Sequence, residues 1–240
     1  MKETTLEEFL GPISAALGRR SPADPGPSPD PSFGMERERF ASLSREELVE
    51  RFELEAAAIG TAVSRATLDT LPGVLARQAR AFEARRAVWP DDPRMVDLGL
   101  VEALTEEGVL GTAWDPRRPE QSIACARDAD VGITFPFAGI ATTATVAQHC
   151  DEKCGRSISL LPACHIAIVG TSTIVPHMID VLERIDGARD SGELPPLPSS
   201  LVFVTGPSAT SDIELVRVVG VHGPVKTAVI LLEDGPAPSA

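Results

Sequence analysis

An α/β fold, a central sheet flanked by helices and preceded by a helical arm, is predicted by three observations. Segments with apolar residues at helical spacing alternate with short β-branched runs along most of the chain. Two late runs, Ser200-Leu-Val-Phe-Val204 and Ala228-Val-Ile-Leu-Leu232, are short and continuously apolar, as buried strands are. A proline-rich stretch, Ser21–Ser32, sets one N-terminal helix apart from everything that follows. These signals divide the 240 residues into an N-terminal helix (1–20), a Pro-rich linker (21–43), a main domain (44–234) and a tail (235–240).

Thr4 or Thr5 caps the first helix, which carries Leu6, Phe9, Leu10, Ile13 and Leu17 on one side, with Pro12 as a candidate kink. The pattern Ser44-Arg-Glu-Glu47 is a capping box and opens a helix to about Ala58. Thr61–Ser64 reads as a brief strand, Leu71–Arg86 as a helix and Val88-Trp89 as a short strand. Met95–Glu106 is helical up to Gly108, Val109–Trp114 a strand, and Pro119–Arg127 a helix. Asp128–Gln148 is apolar and β-prone, with a turn at Phe135-Pro136. His149–Gly155 reads as a hairpin tip, Ser157–Leu161 and His165–Val169 as strands, and Thr171–Asp186 as a helix with Pro176 in its first turn. Ala188–Pro198 is a loop, and Asp234–Ala240 a frayed tail.

Composition narrows the function classes. A hydrophobic content of 43% suits a packed core, and with no tyrosine that core is mainly aliphatic. The formal net charge of −13 argues against nucleic-acid phosphates or an anionic membrane as the main partner. No apolar run is long enough to span a bilayer, and the opening MKETTLEEF has no apolar signal core, so a cytoplasmic protein is the expectation. Four cysteines are too sparse for a disulfide scaffold and fit a reducing compartment.

The stretch TGPSATSDIELVRVVGVHGP, residues 205–224, is the most informative. Thr205-Gly206-Pro207-Ser208 ends a strand, and Gly206 permits a tight turn while Pro207 fixes φ for entry into a helix. Ser208 and Asp212 are helix-capping types, and a strand, a Gly-Pro-Ser turn and a helix N-terminus together form a candidate anion site. The same pattern also describes a capped connection that binds nothing. His222 and Gly223 lie in a second turn, where the histidine either meets a ligand or fixes the loop. Cys150 and Cys154, beside His149 and near Cys164-His165, are weak metal candidates, because their spacing matches neither a zinc ribbon nor a ferredoxin. Cys164 and His165 are strand neighbours and point to opposite faces, so they do not form a nucleophile pair. Arg156 and Arg217 are either anion partners or ordinary surface arginines. No dinucleotide fingerprint, P-loop or nucleophile elbow is present.

TGPSATSDIE followed by GVHGP and a last strand, together with the earlier Ser159-Leu-Leu-Pro-Ala-Cys-His-Ile-Ala-Ile-Val169, resembles the LUD (lactate-utilisation) domain family, in its short single-domain form with an N-terminal helix. The likeness is close over Asp128–Leu232. It implies a fold similar to the NagB/RpiA/CoA-transferase group. It also implies a role as a subunit of an iron–sulfur L-lactate oxidation system that makes pyruvate. Partner subunits are then expected to hold the clusters, with no cofactor bound by this chain. A small carboxylate or phosphate is the expected ligand near Thr205–Ser208 and His222. Where the family has a carboxylate and then Thr-Gly, this chain has Thr142-Thr143-Ala144, so the hydroxyls of Thr142 and Thr143 either bond a ligand there or only fit a β-surface. Two other readings stay open: an independent enzyme acting on a small anionic or sugar-phosphate substrate, and a structural or regulatory module without a ligand.

Overall fold

The computed structural model describes residues 5–21, 40, 42–190, 200–211 and 217–233. The proline-rich linker, most of the loop ahead of Ser200, Asp212 and the tail lie outside them. The chain divides into two compact units, Met1–Arg39 and Phe40–Ala240. In the first, helix α1 (Leu6–Ala16) contains Pro12 and starts at a capping box. The Thr5 hydroxyl accepts the Glu8 N–H, and the Glu8 carboxylate accepts the Thr5 N–H.

The second unit begins its regular structure in the same way. The Ser44 hydroxyl and the Glu47 carboxylate reciprocally cap helix α2 (Arg45–Ala58). There follow β1 (Ala62–Ala66), α3 (Leu71–Ala81), β2 (Arg86–Trp89), α4 (Arg94–Asp97), α5 (Leu100–Glu106), β3 (Leu110–Ala113), α6 (Pro119–Asp128) and β4 (Val131–Thr134). Next come β5 (Ala138–Ile140), β6 (Thr145–Cys150), α7 (Ser157–Leu160), β7 (Cys164–Gly170), β8 (Ile174–Val175) and α8 (Met178–Asp190). The chain closes with β9 (Ser200–Thr205), β10 (Ala209–Ser211), β11 (Arg217–Val219) and β12 (Lys226–Leu232).

Six strands form one sheet in the order β1-β12-β7-β4-β2-β3, and every neighbouring pair is parallel. Its two faces are read off alternate residues, as the pleat requires. Ile166, Ile168, Ala228 and Ile230 pack with Leu71, Leu75, Leu100 and Leu104 of α3 and α5. Ala167, Val169, Val229 and Leu231 pack with Val49, Phe52 and Ala56 of α2 and with Ala144, Val146 and Ile174. Burial of each large aliphatic side chain stabilises the fold by about 1.5–3 kcal/mol, so both faces are needed. Parallel strands covered on both sides are continuously apolar for this reason.

A four-stranded sheet, β8-β5-β6-β9, lies on the α2 side of the main sheet. Its β5–β6 and β6–β9 pairs are antiparallel, and β5–β8 is parallel. Val181 and Ile185 of α8 pack with Ala138, Ile140 and Ala147 of this sheet. Strands β10 and β11 form a separate antiparallel pair. Among the described residues no helix is long and apolar enough to cross a membrane.

Several elements differ from the pattern-based expectation. Helix α3 stops at Ala81 instead of Arg86, and Arg86 already belongs to β2. The expected helix Met95–Glu106 is two helices, because Gly99 takes φ +65 between them. Ser157–Leu161 is helical rather than extended. The expected helix Thr171–Asp186 is a 3₁₀ turn (Thr171–Thr173), then β8, and a helix that begins two residues after Pro176. His149–Gly155 is not a hairpin tip: β6 pairs with β5 and β9, and the chain after Cys150 runs into α7.

The position of α7 rests on Gly132 in β4. A Cβ placed there would lie 1.8 Å from the Ile158 carbonyl oxygen, so only glycine lets this helix backbone close on the strand. Gly132→Ala is expected to lose about 3 kcal/mol of stability in urea unfolding, or to fail to accumulate as soluble protein. Wild-type behaviour of that variant would mean that α7 does not seat on β4.

Candidate functional site

The TGPS turn and the GVHGP turn stand at the same end of the β10–β11 pair, where Ala209 faces Val219, and are locked together. The Ser208 N–H donates to the Pro224 carbonyl (2.9 Å), and the Gly220 N–H donates to the Ser208 carbonyl (2.8 Å). A Cβ on Gly223 would lie 3.1 Å from Ser208 Cβ, so the two turns touch. Gly206 has φ +66, the left-handed conformation its glycine was expected to supply. No helix starts at Ser208. The chain continues as β10, which pairs with β11, so the anion site expected from a helix N-terminus lacks its helix. Pro207 is half-buried and His222 is exposed at the surface of the second turn, while Asp212 lies outside the described residues.

The threonines converge on the same end of β9. Register sets Thr145 opposite Thr205. Their hydroxyls are 2.7 Å apart, and Thr143 joins Thr145 at 2.7 Å, giving a chain of three hydroxyls. Thr142 turns elsewhere, and its hydroxyl donates to the Pro176 carbonyl at 2.8 Å, pinning the β5–β6 loop to the entry of α8. The structure thus unites Thr143 with Thr205 and Ser208 with Gly223, and keeps Thr142 on a separate contact. Between Thr143 and Thr145, Ala144 is buried with φ +49. An L-residue there carries about 1–2 kcal/mol of backbone strain.

The cysteines lie in a drier region. Cys150, Cys154 and Cys164 are buried, and burial raises the pKa of each, that of Cys154 to about 12. The Gln148 amide donates to Cys154 Sγ at 3.2 Å. Among the described residues no group of three or more His, Cys, Asp or Glu side chains is placed to hold a metal ion. Cys164 packs toward α3 and α5, whereas His165 is directed to the other face, with its Nε2 2.8 Å from the Thr134 hydroxyl. Burial holds His165 neutral, with its pKa lowered to about 4.

Two cavities flank the loop after β6, and most of their residues have no signature in the sequence. One, of about 210 Å³, holds Arg94 with its guanidinium 4.1 Å from the Phe135 ring and hydrogen-bonded to both oxygens of Asp92. Burial acts to raise the Asp92 pKa, but the Arg94 hydrogen bonds outweigh it and leave the carboxyl below its ordinary value. The other, of about 370 Å³, brings Trp114, Asp151, Arg156, Ser157 and Ser200 together from three separate stretches of chain. Arg156 alone among these stood out in the sequence, as a cation beside a polar loop. The rest become neighbours only through the β6–β9 register and the fold of α7.

Comparison with known proteins agrees with this architecture. The LUD domain model matches residues 49–232. "Lactate utilization protein C 1" of Bacillus mycoides (strain KBAB4) is 37% identical over 229 residues, covering 95% of this chain and 97% of its own. Lactate utilization protein C of Bacillus subtilis (strain 168) is 35% identical over 232 residues, covering 95% and 96%. A crystal structure of a DUF162 family protein from Deinococcus radiodurans superposes with a TM-score of 0.57 at 26% identity, over 79% of this chain and 99% of that one.

Two outcomes test the site's physics. Ala144→Val, a β-branched residue in a left-handed conformation, is expected to lose about 2–3 kcal/mol in urea unfolding. Ala144→Gly should stay within about 0.5 kcal/mol, as relief of strain offsets the lost methyl contact and the added chain entropy. The unfolded chain protonates His165 near pH 6.5 and the folded chain only near pH 4. Its contribution is therefore complete above pH 6.5 and is lost as pH falls toward 4. Unfolding free energy should drop by about 2 kcal/mol between pH 7 and pH 5. His165→Gln should remove most of that drop.

Proposed function

The chain belongs to the LUD domain family, and on that premise we propose that it serves in lactate utilisation as a subunit of an iron–sulfur system that oxidises L-lactate to pyruvate. In this reading it binds partner subunits and a small carboxylate, and the partner subunits carry the clusters. The observation that carries the proposal is the end-to-end likeness to relatives named lactate utilization protein C, in which nearly all of both chains align. Likeness over a shared fold alone would leave function open, whereas likeness over 95% of the chain includes its turns and loops.

The chemistry of the chain supports the same division of labour. Cluster ligands are thiolates in closely spaced motifs, and the four cysteines here, Cys125, Cys150, Cys154 and Cys164, have no ferredoxin spacing. The formal charge of −13 suits association with proteins or small molecules better than with polyanions.

Gentle purification of the tagged protein from its native host grown on lactate checks the proposal. Brown co-purifying iron–sulfur proteins and lactate-dependent dye reduction are expected. A colourless protein that comes down alone, and whose melting temperature rises with phosphate but not with lactate, would replace this reading with that of an independent enzyme.

A further inference from the structure

We propose that the cavity of about 370 Å³ beside the loop after β6 binds a small 2-hydroxy monocarboxylic acid, with Arg156 and Ser157 on its carboxylate and Asp151 accepting its hydroxyl. The proposal rests on the lactate-utilisation reading and gives its small carboxylate a place apart from the TGPS turn, where no helix starts at Ser208.

One wall is apolar and fixed. Trp114 is buried, and its indole lies against Gly155 so closely that a Cβ there would be 2.3 Å from the ring. The indole N–H donates to the Glu152 carbonyl at 3.0 Å, which sets the ring's rotation. Ile123 adds aliphatic surface to the same cavity. This wall suits a methyl or other short alkyl group.

The polar side carries one positive and one negative charge. Arg65, Arg80, Arg94, Arg117 and Arg127 are each paired with a carboxylate. Arg156 has no ion pair among the described residues, and its exposed guanidinium lines the cavity. A free guanidinium matches a carboxylate in shape and charge. Asp151 is held in place, because its Oδ1 accepts the N–H groups of Lys153 and Cys154, each at 2.8 Å. Its Oδ2 makes only a 3.9 Å approach to His149 Nε2. The Asp151 side chain is 34% exposed, so that oxygen is open to a donor from solution. A simple carboxylate satisfies Arg156 and repels Asp151, whereas an acid with a donor on its second carbon satisfies both. Ser157 and Ser200 supply further hydroxyls, Ser200 already hydrogen-bonded to the Cys150 thiol. With one charge of each sign, dianions such as phosphate are disfavoured.

Calorimetric titration of the full chain with L-lactate, propionate and inorganic phosphate tests this. L-lactate should bind, and propionate, which lacks the hydroxyl, should bind at least about tenfold more weakly. Phosphate should bind more weakly than lactate. Arg156→Met should weaken lactate at least about tenfold and leave the ligand-free melting temperature unchanged, since the side chain is exposed. Ser157→Ala should cost several-fold. The site is overturned if lactate does not bind the wild type, or if Arg156→Met binds it as the wild type does. Propionate matching lactate, or phosphate exceeding it, overturns it equally. Co-purification from the host is scored separately. A lactate-oxidising complex whose isolated subunit binds no lactate removes the site and leaves the subunit role. Lactate binding that Arg156→Met abolishes, in a protein without partners, removes the subunit role and leaves the site.

Discussion

Burial of β7 and β12 on both faces is the constraint from which the rest of the architecture follows. These two strands sit side by side inside the six-stranded sheet, and their side chains alternate between two apolar layers. Because both faces are covered, neither strand can slip by one residue without exchanging Ile166, Ile168 and Ile230 for Ala167, Val169 and Val229. Fixed register then fixes the loops. The turn ahead of β12 must meet the turn after β9, and the segment after β7 must deliver β8 to the edge of the second sheet. The meeting of distant polar residues follows from apolar alternation in the middle of the chain.

Several polar groups drawn into this interior are matched in pairs. Thr61 and Thr227 share a buried hydrogen bond of 2.8 Å, and His165 shares another with Thr134. Thr145 is buried between the hydroxyls of Thr143 and Thr205. Each pair avoids the cost of about 1–3 kcal/mol for an unmet buried polar group. The hydroxyl chain at Thr205 thus gives the buried Thr145 its partners. The residues around Arg156 and Asp151 are different, because among the described residues the Arg156 guanidinium makes no ion pair.

Local pattern was legible wherever one physical cause dominated. The Ser44–Glu47 capping box, the buried strands and the opposed directions of Cys164 and His165 all follow from rules that span a few residues. Ser157–Leu161 looked extended because its apolar residues suit a strand, and its helix depends on contact with Gly132 in β4. Gly206-Pro207-Ser208 carries the cues of a helix entry, yet pairing of β10 with β11 overrides them. Of the site, the contact of the two glycine turns was foreshadowed by two punctuated motifs. The cavity at Arg156 was not, since Trp114, Asp151 and Ser200 come together only when the sheets have formed.

The place of β12 bears on how the protein is made. This strand is the last of the described strands in chain order, yet it sits between β1 and β7. Until β12 has emerged from the ribosome, β1 has no neighbour in the main sheet, and one edge of β7 is open. The nascent chain therefore carries an apolar, unpaired strand edge until then, the kind of surface that chaperones shield. A chain cut short ahead of Lys226 would yield a split sheet rather than a slightly shortened protein. Arrival of β12 is thus the step that closes the main sheet.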